Sequence, residues 1–278
     1  MSSTYVLGHS ENEARRLTVQ ARLLAPITRR FFLAAGLVPG MRVLDVGSGM
    51  GDVALLTAEL VGPKGEVVGT DRVPEIVAAA GARLGATESN IRFVVGDPSE
   101  MIFEQTFDAV VGRYVLPYQS DLAATLSRLN ERLRPGGVMV FHELDWGGAR
   151  SVPPAPIYDQ CCRWVAEGLR CGGAEPYTGS KLYTAFRRAG LPPPVMRLEA
   201  IIGGPGDPSG AVEDLLETIF PASLVPTLER HGVATGAEID VDTLVTRMRD
   251  EITALDSVVV GRSEIGVWSR QLVNPALQ

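Results

Sequence analysis

The hydrophobic positions before residue 41 have the spacing of an α-helix. Apolar residues recur on one helical face at Leu17, Leu24 and Ile27. Ser10 and Glu13 form the capping-box pattern that starts a helix. Pro26 interrupts the run and predicts a break into two helices, and Gly36 predicts the end of the second. We therefore expect a pair of helices at the N-terminus.

From residue 41 onward, short apolar runs alternate with amphipathic stretches. The apolar runs predict strands over residues 42–46, 66–70, 91–95, 107–112 and 138–143. The stretches between them predict helices over residues 53–61, 74–84 and 121–133, with a stop at Arg134-Pro135-Gly136-Gly137. Residues 195–202 and 264–269 predict a sixth and a seventh strand. Near-continuous apolar strands joined by helices are typical of a parallel sheet that is covered on both faces.

The predicted fold class is α/β, with a doubly wound, mostly parallel, seven-stranded sheet and helices on both faces. Helices outside the strand alternation are predicted over residues 157–170, 181–189 and most of 211–256. Together with the N-terminal pair, we expect them to form a helical lid over the ligand site. The expected organisation is a lid segment over 1–38, a ligand-binding core over 39–145, and the remaining sheet with substrate-cap helices (about 150–175 and 205–258) over 146–278.

Composition and charge argue against several classes of function. The net charge of −7 argues against a nucleic-acid partner, because neutralising phosphates requires a basic surface. The first 13 residues lack the basic start and apolar run of a signal peptide, and no apolar stretch is long enough to span a membrane. Three cysteines and three histidines form no metal-binding spacing, so no metal is expected. We expect a cytoplasmic protein without a membrane partner, and its oligomeric state is not predicted.

A glycine-rich loop follows the first predicted strand, with Gly47, Gly49 and Gly51 at alternate positions. Ligands of doubly wound sheets bind outside the carboxyl ends of the strands, and glycines let a ligand approach the main chain closely. Asp71 ends the second strand, where a carboxylate can accept hydrogen bonds from a ribose diol. Asp97 follows the third strand and can accept a hydrogen bond from an adenine amino group. The spacing therefore predicts a nucleoside-containing ligand.

The set Asp45-x-Gly47-x-Gly49-x-Gly51, Asp71 and Gly96-Asp97 resembles the class I S-adenosylmethionine (SAM)-dependent methyltransferases of the bacterial small-molecule type. The similarity extends from about residue 39 to residue 143. The resemblance implies SAM as the cofactor and S-adenosylhomocysteine as its product, with the glycine loop against the methionyl part, Asp71 at the ribose and Asp97 at the adenine. The cofactor-binding residues that it implies are Gly47, Ser48, Gly49, Asp71, Arg72, Asp97, Pro98, Arg113, Tyr5 and Gln20.

Because SAM carries an activated methyl group, the protein's main task would be to align the acceptor and exclude water. A general base is needed only when the acceptor arrives protonated with a high pKa. His142 and Glu143 near the end of the fifth strand are the candidate catalytic residues, with Asp145 as a further base. Strand alternation places His142 and Glu143 on opposite faces, so one of them is expected to face the acceptor. His9 and Tyr5 are further candidates if the N-terminal helix closes the site.

Aromatic residues after the fifth strand suggest the acceptor. Trp146, Tyr158, Trp164 and Tyr177 either wall a pocket for an aromatic ring or belong to the core of the helix over residues 157–170. The expected acceptor is a small aromatic or heteroaromatic molecule, and the resemblance implies one of the kind found in natural-product or lipid-quinone pathways. Phenols, amines and indole carbons stay open, and with them O-, N- and C-methylation.

Two alternatives compete with this interpretation. Gly49-x-Gly51-x-x-Ala54 also fits a dinucleotide fingerprint, and Tyr177 with Lys181 has the Tyr-x-x-x-Lys spacing of short-chain dehydrogenases. An NAD(P)-dependent oxidoreductase is therefore one alternative. The other is a SAM-binding module without catalysis, since intact cofactor residues do not establish turnover.

Overall fold

The computed structural model describes residues 11–85 and 89–272, with side chains described from residue 15. The predicted residues Tyr5, His9 and Ser10 lie outside this range. Residues Glu11–Ala35 form a single helix, α1, which contains Pro26 in its interior. The predicted break at Pro26 is therefore wrong. Although proline removes one helical hydrogen bond, buried Leu24 and Ile27 flank it, so burial of the apolar face maintains the helix through that position.

The other helices and the strands follow the predicted alternation closely. The strands are β1 (Arg42–Val46), β2 (Glu66–Asp71), β3 (Ile91–Val95), β4 (Phe107–Arg113), β5 (Leu133–Asp145), β6 (Arg150–Val152), β7 (Val195–Glu199), β8 (Ile202–Gly203), β9 (Val258–Val260) and β10 (Ser263–Arg270). The helices after α1 are α2 (Asp52–Val61), α3 (Pro74–Ala82), α4 (Leu122–Asn130), α5 (Pro156–Cys171), α6 (Thr178–Arg188), α7 (Ala211–Thr218), α8 (Val225–Arg230), α9 (Gly236–Ile239) and α10 (Val241–Leu255).

Seven strands form one sheet in the order β3-β2-β1-β4-β5-β10-β7. The pairings of β1 with β2 and β4, of β2 with β3, and of β4 with β5 are all parallel. The predicted α/β fold with a mostly parallel seven-stranded sheet flanked by helices is thereby confirmed. Strand order reverses between β1 and β4, which places the switch point of the sheet beside the glycine loop.

The fifth strand is longer than predicted. Helix α4 ends at Asn130 instead of continuing to residue 133, and Leu133 already pairs with Phe107 of β4. The predicted helix stop at residues 134–137 is therefore part of a strand. Gly136 takes a positive φ of 77°, and the register shifts between Phe107 and Ala109, so an irregular strand accommodates this turn-like segment.

The chain divides into two compact units. The first, here called the sheet unit, comprises the described residues of 25–143, 180–197 and 265–272. Its core is formed by buried side chains of the central strands and of α4 and α6, among them Leu44, Phe107, Leu126, Phe141 and Phe186. These residues fix the strands whose carboxyl ends carry the glycine loop.

The second unit, here called the helical unit, comprises the described residues of 11–24, 144–179 and 198–264. It contains α5, α7 to α10 and a small antiparallel sheet in the order β6-β9-β8. This small sheet was not predicted, because strands of two or three residues are too short to show alternation. Within the described ranges, no helix has both the length and the apolar character needed to cross a membrane.

Candidate cofactor site

The loop between β1 and α2 has three glycines with positive φ, at 62° for Gly47, 53° for Gly49 and 87° for Gly51. A Cβ atom at Gly47 would lie 2.9 Å from Cγ2 of Val115, and one at Gly51 would lie 2.7 Å from Cζ of Phe93. By contrast, apart from its chain neighbours Ser48 and Met50, no described residue has an atom within 4 Å of a Cβ placed at Gly49. Packing therefore requires glycine at the two outer positions, whereas the middle one leaves open space beside the main chain.

Asp71, at the end of β2, holds the middle of this loop. Its Oδ2 accepts a hydrogen bond from the backbone N–H of Gly49 at 3.1 Å, and its Oδ1 accepts one from Val73 at 3.0 Å. A carboxylate has about four acceptor positions. Asp71 can therefore accept further hydrogen bonds while it holds the loop, as the predicted ribose contact requires.

Asp97 follows β3 at the same edge of the sheet. Its Oδ2 is paired with Arg72, and its Oδ1 accepts a hydrogen bond from the N–H of Ser99 at 2.9 Å. Burial raises the pKa of Asp97, but the bonds from Arg72 and Ser99 outweigh it, so the pKa lies below its ordinary value. The neighbouring Pro98 is buried, and its carbonyl accepts a hydrogen bond from Nε of Arg132 at 3.1 Å. The predicted residues Arg72, Asp97 and Pro98 thus form one corner, in which Arg72 is paired with Asp97 and Pro98 is bonded to Arg132.

Asp45 lies directly beneath the loop and is almost fully buried, with 1% of its surface exposed. Among the described residues, neither of its carboxylate oxygens has a hydrogen-bond partner. Burial raises its pKa well above the ordinary value; the charge of Arg113 lowers it, and the charges of Asp71 and Asp52 raise it further. An unsatisfied buried carboxylate is costly, so this position is built to receive a donor.

The charges around the loop favour a cationic ligand. Asp45, Asp52 and Asp71 are close enough for the latter two to raise the pKa of the first, and Ser48 adds a buried hydroxyl without a partner in the described part of the chain. SAM carries an ammonium group and a sulfonium centre, so the residues present fit this cofactor. Sequence reasoning named Asp45 as part of the motif but gave it no role, although an acidic residue before the first glycine was the available signal.

The segment after β4 is strained next to the loop. Tyr114 takes a φ of 58°, which side chains other than glycine rarely adopt, and its N–H donates to the carbonyl of His142 at 3.1 Å. Arg113, predicted to line the cofactor, donates from Nη1 to Oγ1 of Thr28 at 3.1 Å. Backbone strain of this kind is concentrated at functional sites.

The predicted catalytic residue His142 is fully buried. Its Nδ1 is hydrogen-bonded to Oγ1 of Thr28 at 2.9 Å, and its ring meets the rings of Phe31 and Tyr114 edge to face at 5.1 Å and 5.7 Å. These contacts hold the imidazole in place from α1 and from the segment after β4. They do not test proton transfer, so the catalytic role stays a prediction.

Glu143 is also fully buried, and its Oε1 accepts hydrogen bonds from the N–H groups of Val115 and Leu116, both at 3.1 Å. Asp145, in the helical unit, accepts the N–H of Gly147 at 2.9 Å and so caps a turn. Gln20, the predicted cofactor residue on α1, accepts a hydrogen bond from Arg16 at 2.9 Å. The roles predicted for these three side chains stay predictions.

Two of the four predicted pocket aromatics line one cavity of the helical unit. Trp146 and Tyr177 border a space of about 290 Å³ together with Ala149, Arg150, Asp159, Cys162, Arg163 and Ala166. Tyr158 instead belongs to the core, where its hydroxyl donates to the carbonyl of Val260 at 2.9 Å. Trp164 is partly exposed on α5 and does not border the cavity. In the described ranges, no three His, Cys, Asp or Glu residues are grouped to bind a metal.

Comparison with known sequences matches the chain to a protein family. Residues 37–190, more than half of the chain, match the family described as a methyltransferase domain. Demethylmenaquinone methyltransferase of Staphylococcus aureus is 33% identical over 133 residues, which cover 48% of this chain and 52% of that protein. The chain therefore spans about half the length of the curated relatives that it matches.

Solved structures agree on the fold. Phosphoethanolamine N-methyltransferase 2 of Haemonchus contortus, in complex with SAM, has a TM-score of 0.55 at 18% identity, covering 90% of this chain and 53% of that one. The YcgJ protein of Bacillus subtilis has a TM-score of 0.53 at 17% identity, covering 90% and 99%. Together with the loop and its acidic residues, the family match leads to one conclusion: this chain belongs to the class I SAM-dependent methyltransferases.

Proposed function

We propose that the protein transfers a methyl group from SAM to a small aromatic or heteroaromatic acceptor. The observation that carries this proposal is the buried carboxylate of Asp45, which lacks a hydrogen-bond partner in the described residues and lies beneath a glycine loop with open space at Gly49. Such a carboxylate is matched by the ammonium group of an amino-acid ligand.

When bound, SAM supplies a methyl group activated by a sulfonium leaving group. The chain's own part is to bind and orient. Asp45 and Ser48 would hold the amino-acid part, with its carboxylate favoured by the N-terminus of α2. Asp71 would accept the ribose hydroxyls, and the corner of Arg72, Asp97 and Pro98 would border the adenine. Gly47, Gly49 and Arg113, with Tyr5 and Gln20, complete the proposed cofactor residues.

The proposed acceptor class is supported by the cavity of the helical unit. Tyr177, which is 40% exposed, offers an aromatic ring to this cavity, and a volume of about 290 Å³, just below the range of small-molecule sites, is sufficient for one or two fused rings. The Staphylococcus aureus relative is named for a demethylmenaquinone substrate, which also carries rings. A natural-product or quinone-like aromatic therefore fits best, with the methylated atom left open among O, N and C.

The oxidoreductase alternative is not supported. A dinucleotide would place its pyrophosphate at the glycine loop, where the carboxylate of Asp71, bonded to the N–H of Gly49, opposes a negative charge. The dehydrogenase-like pair has an equally plain structural explanation, since Tyr177 is 40% exposed and Lys181 lies exposed on α6. Membership of the methyltransferase family decides against this alternative.

Formation of S-adenosylhomocysteine with a panel of phenols, amines, indoles and hydroquinones tests the proposal. We expect acceptor-dependent product with at least one ring-bearing class, and none with aliphatic amines or with SAM alone. Tight SAM binding without product from any member of the panel would favour the non-catalytic module instead. The Asp45→Asn variant is the matched comparison, since weaker cofactor binding should lower product formation at least tenfold when SAM is subsaturating.

A further inference from the structure

The carboxylate of Glu143 is used by the backbone of a neighbouring segment. Both hydrogen bonds of its Oε1 go to consecutive N–H groups, those of Val115 and Leu116, at 3.1 Å each. Leu116 begins a single 3-10 turn that ends at Tyr118, so these N–H groups lie where a helical turn starts and has no internal partner for them. A fully buried carboxylate thus fixes the turn that follows β4.

The residue that precedes this turn is also held by β5. Tyr114, immediately before it, is held in the left-handed region by the hydrogen bond of its N–H to the carbonyl of His142. His142 and Glu143 are consecutive residues of β5. One strand therefore determines both the strained residue and the turn after it, through one main-chain and two side-chain hydrogen bonds.

The side chain of Val115 transmits this position to the glycine loop. A Cβ atom at Gly47 would lie 2.9 Å from Cγ2 and 3.3 Å from Cγ1 of Val115. Gly47, whose φ is 62°, therefore packs directly on this valine, and a side chain at position 47 would collide with it. Any shift of Val115 would be felt by the main chain of the loop, since packed interiors transmit displacement.

We infer that Glu143 is a positioning residue for the SAM loop, acting through the backbone of Val115 and the contact of its side chain with Gly47. This inference rests on the proposed function, because it assumes that the loop binds SAM. This task needs a side-chain oxygen that accepts hydrogen bonds, but it does not need a negative charge. A general base, by contrast, must be an ionised carboxylate that can take up a proton.

Three variants separate these roles, with S-adenosylhomocysteine as the titrated ligand in calorimetry. Glu143→Gln keeps an oxygen that can accept both N–H groups, so we expect its dissociation constant to stay within threefold of the wild type. Glu143→Ala removes the acceptor, and we expect at least a tenfold weaker affinity. Val115→Ala keeps the hydrogen bonds between the backbone and Glu143 but removes the side-chain contact with Gly47. We expect a loss of affinity of similar size.

Asp108→Asn serves as the matched control. Its carboxylate also accepts a backbone N–H, that of Arg42 at 2.7 Å, but at the amino ends of β1 and β4, away from the loop. We expect a lower melting temperature and an unchanged affinity for this variant, which shows that a general loss of stability does not weaken binding.

The outcomes that contradict the inference are distinct from a failure of the proposed function. Absence of binding by the wild-type protein would reject the proposed function itself. Wild-type binding together with an unchanged affinity of Val115→Ala would reject the link to Gly47. A tenfold loss in Glu143→Gln at unchanged melting temperature would show that the charge is needed and would reject positioning. These two variants decide the question even if Glu143→Ala does not fold.

Discussion

At the scale of single residues, the carboxylate of Asp45 lowers the stability of the fold but favours ligand binding. Its carboxylate is buried without a hydrogen-bond partner in the described chain, which destabilises the ligand-free fold but prepares a site for a cation. The sequence motif marks this residue, but only the structure shows that its oxygens are unsatisfied. Glycine spacing and acidic residues could be read from the chain, whereas the hydrogen bonds of Asp71 and Glu143 depend on how separate strands align.

The raised pKa of Asp45 predicts a pH effect on stability. Since the folded protein holds this proton more tightly than the unfolded chain does, stability falls as pH rises from about 3.9, the ordinary value for aspartate, toward the raised pKa. Asp45→Asn removes this loss. We expect a higher melting temperature at pH 7 and a flatter pH dependence than in the wild type, by scanning calorimetry between pH 4 and 8. A lower melting temperature at pH 7 would contradict this account.

His142 allows a second prediction at this scale. Its hydrogen bond to Thr28 and its aromatic neighbours indicate a packing role, and large-to-small changes in a core cost roughly 2–5 kcal/mol. We expect His142→Ala to lower the melting temperature whether or not His142 is the base. If it is the base, its loss should also lower turnover at least tenfold, and an unchanged turnover in the folded variant would reject that role.

At the scale of elements, the turn between β1 and α2 follows from sequence, but the different tasks of its glycines do not. Three alternating glycines predict a tight loop, and all three take positive φ. Which of them faces open space depends on Val115 and Phe93, residues that come from elsewhere in the chain. For the same reason, the irregular start of β5 could not be predicted from a segment that reads as a helix stop.

The glycines should respond differently to substitution. Alanine at any of them costs roughly 1–2 kcal/mol for the left-handed conformation. Gly47→Ala and Gly51→Ala add a clash with Val115 or Phe93, so we expect a larger loss of melting temperature. Gly49→Ala should fold with only the smaller loss but bind S-adenosylhomocysteine at least tenfold more weakly. Equal melting temperatures for all three variants would show that packing does not distinguish these positions.

At the scale of the whole molecule, the sheet could be predicted because its strands are buried runs with a clear pattern. The positions of Asp71 and Asp97 at one edge of the sheet then follow, because parallel strands end on the same side. The helical unit could be predicted less well. Its strands are short, and whether Tyr158 borders a pocket or a core depends on packing that periodicity does not reveal.

The cavity of that unit gives a prediction for acceptor binding. Tyr177 borders it and is exposed enough for replacement without loss of the core. We expect Tyr177→Ala to raise the KM for an aromatic acceptor about tenfold while the affinity for S-adenosylhomocysteine is unchanged, since stacking contributes roughly 1 kcal/mol or more. Replacement of Tyr183, an exposed tyrosine that does not border the cavity, is the matched control. An unchanged KM in Tyr177→Ala would remove this cavity from the proposal.

Calorimetric titration of the wild-type protein and Asp45→Asn with SAM tests the central claim most directly. The account predicts saturable binding of one SAM per chain by the wild type, an affinity that weakens as pH falls because Asp45 takes up a proton, and at least tenfold weaker binding by Asp45→Asn. No heat at millimolar SAM, or wild-type affinity in Asp45→Asn at every pH, would contradict it.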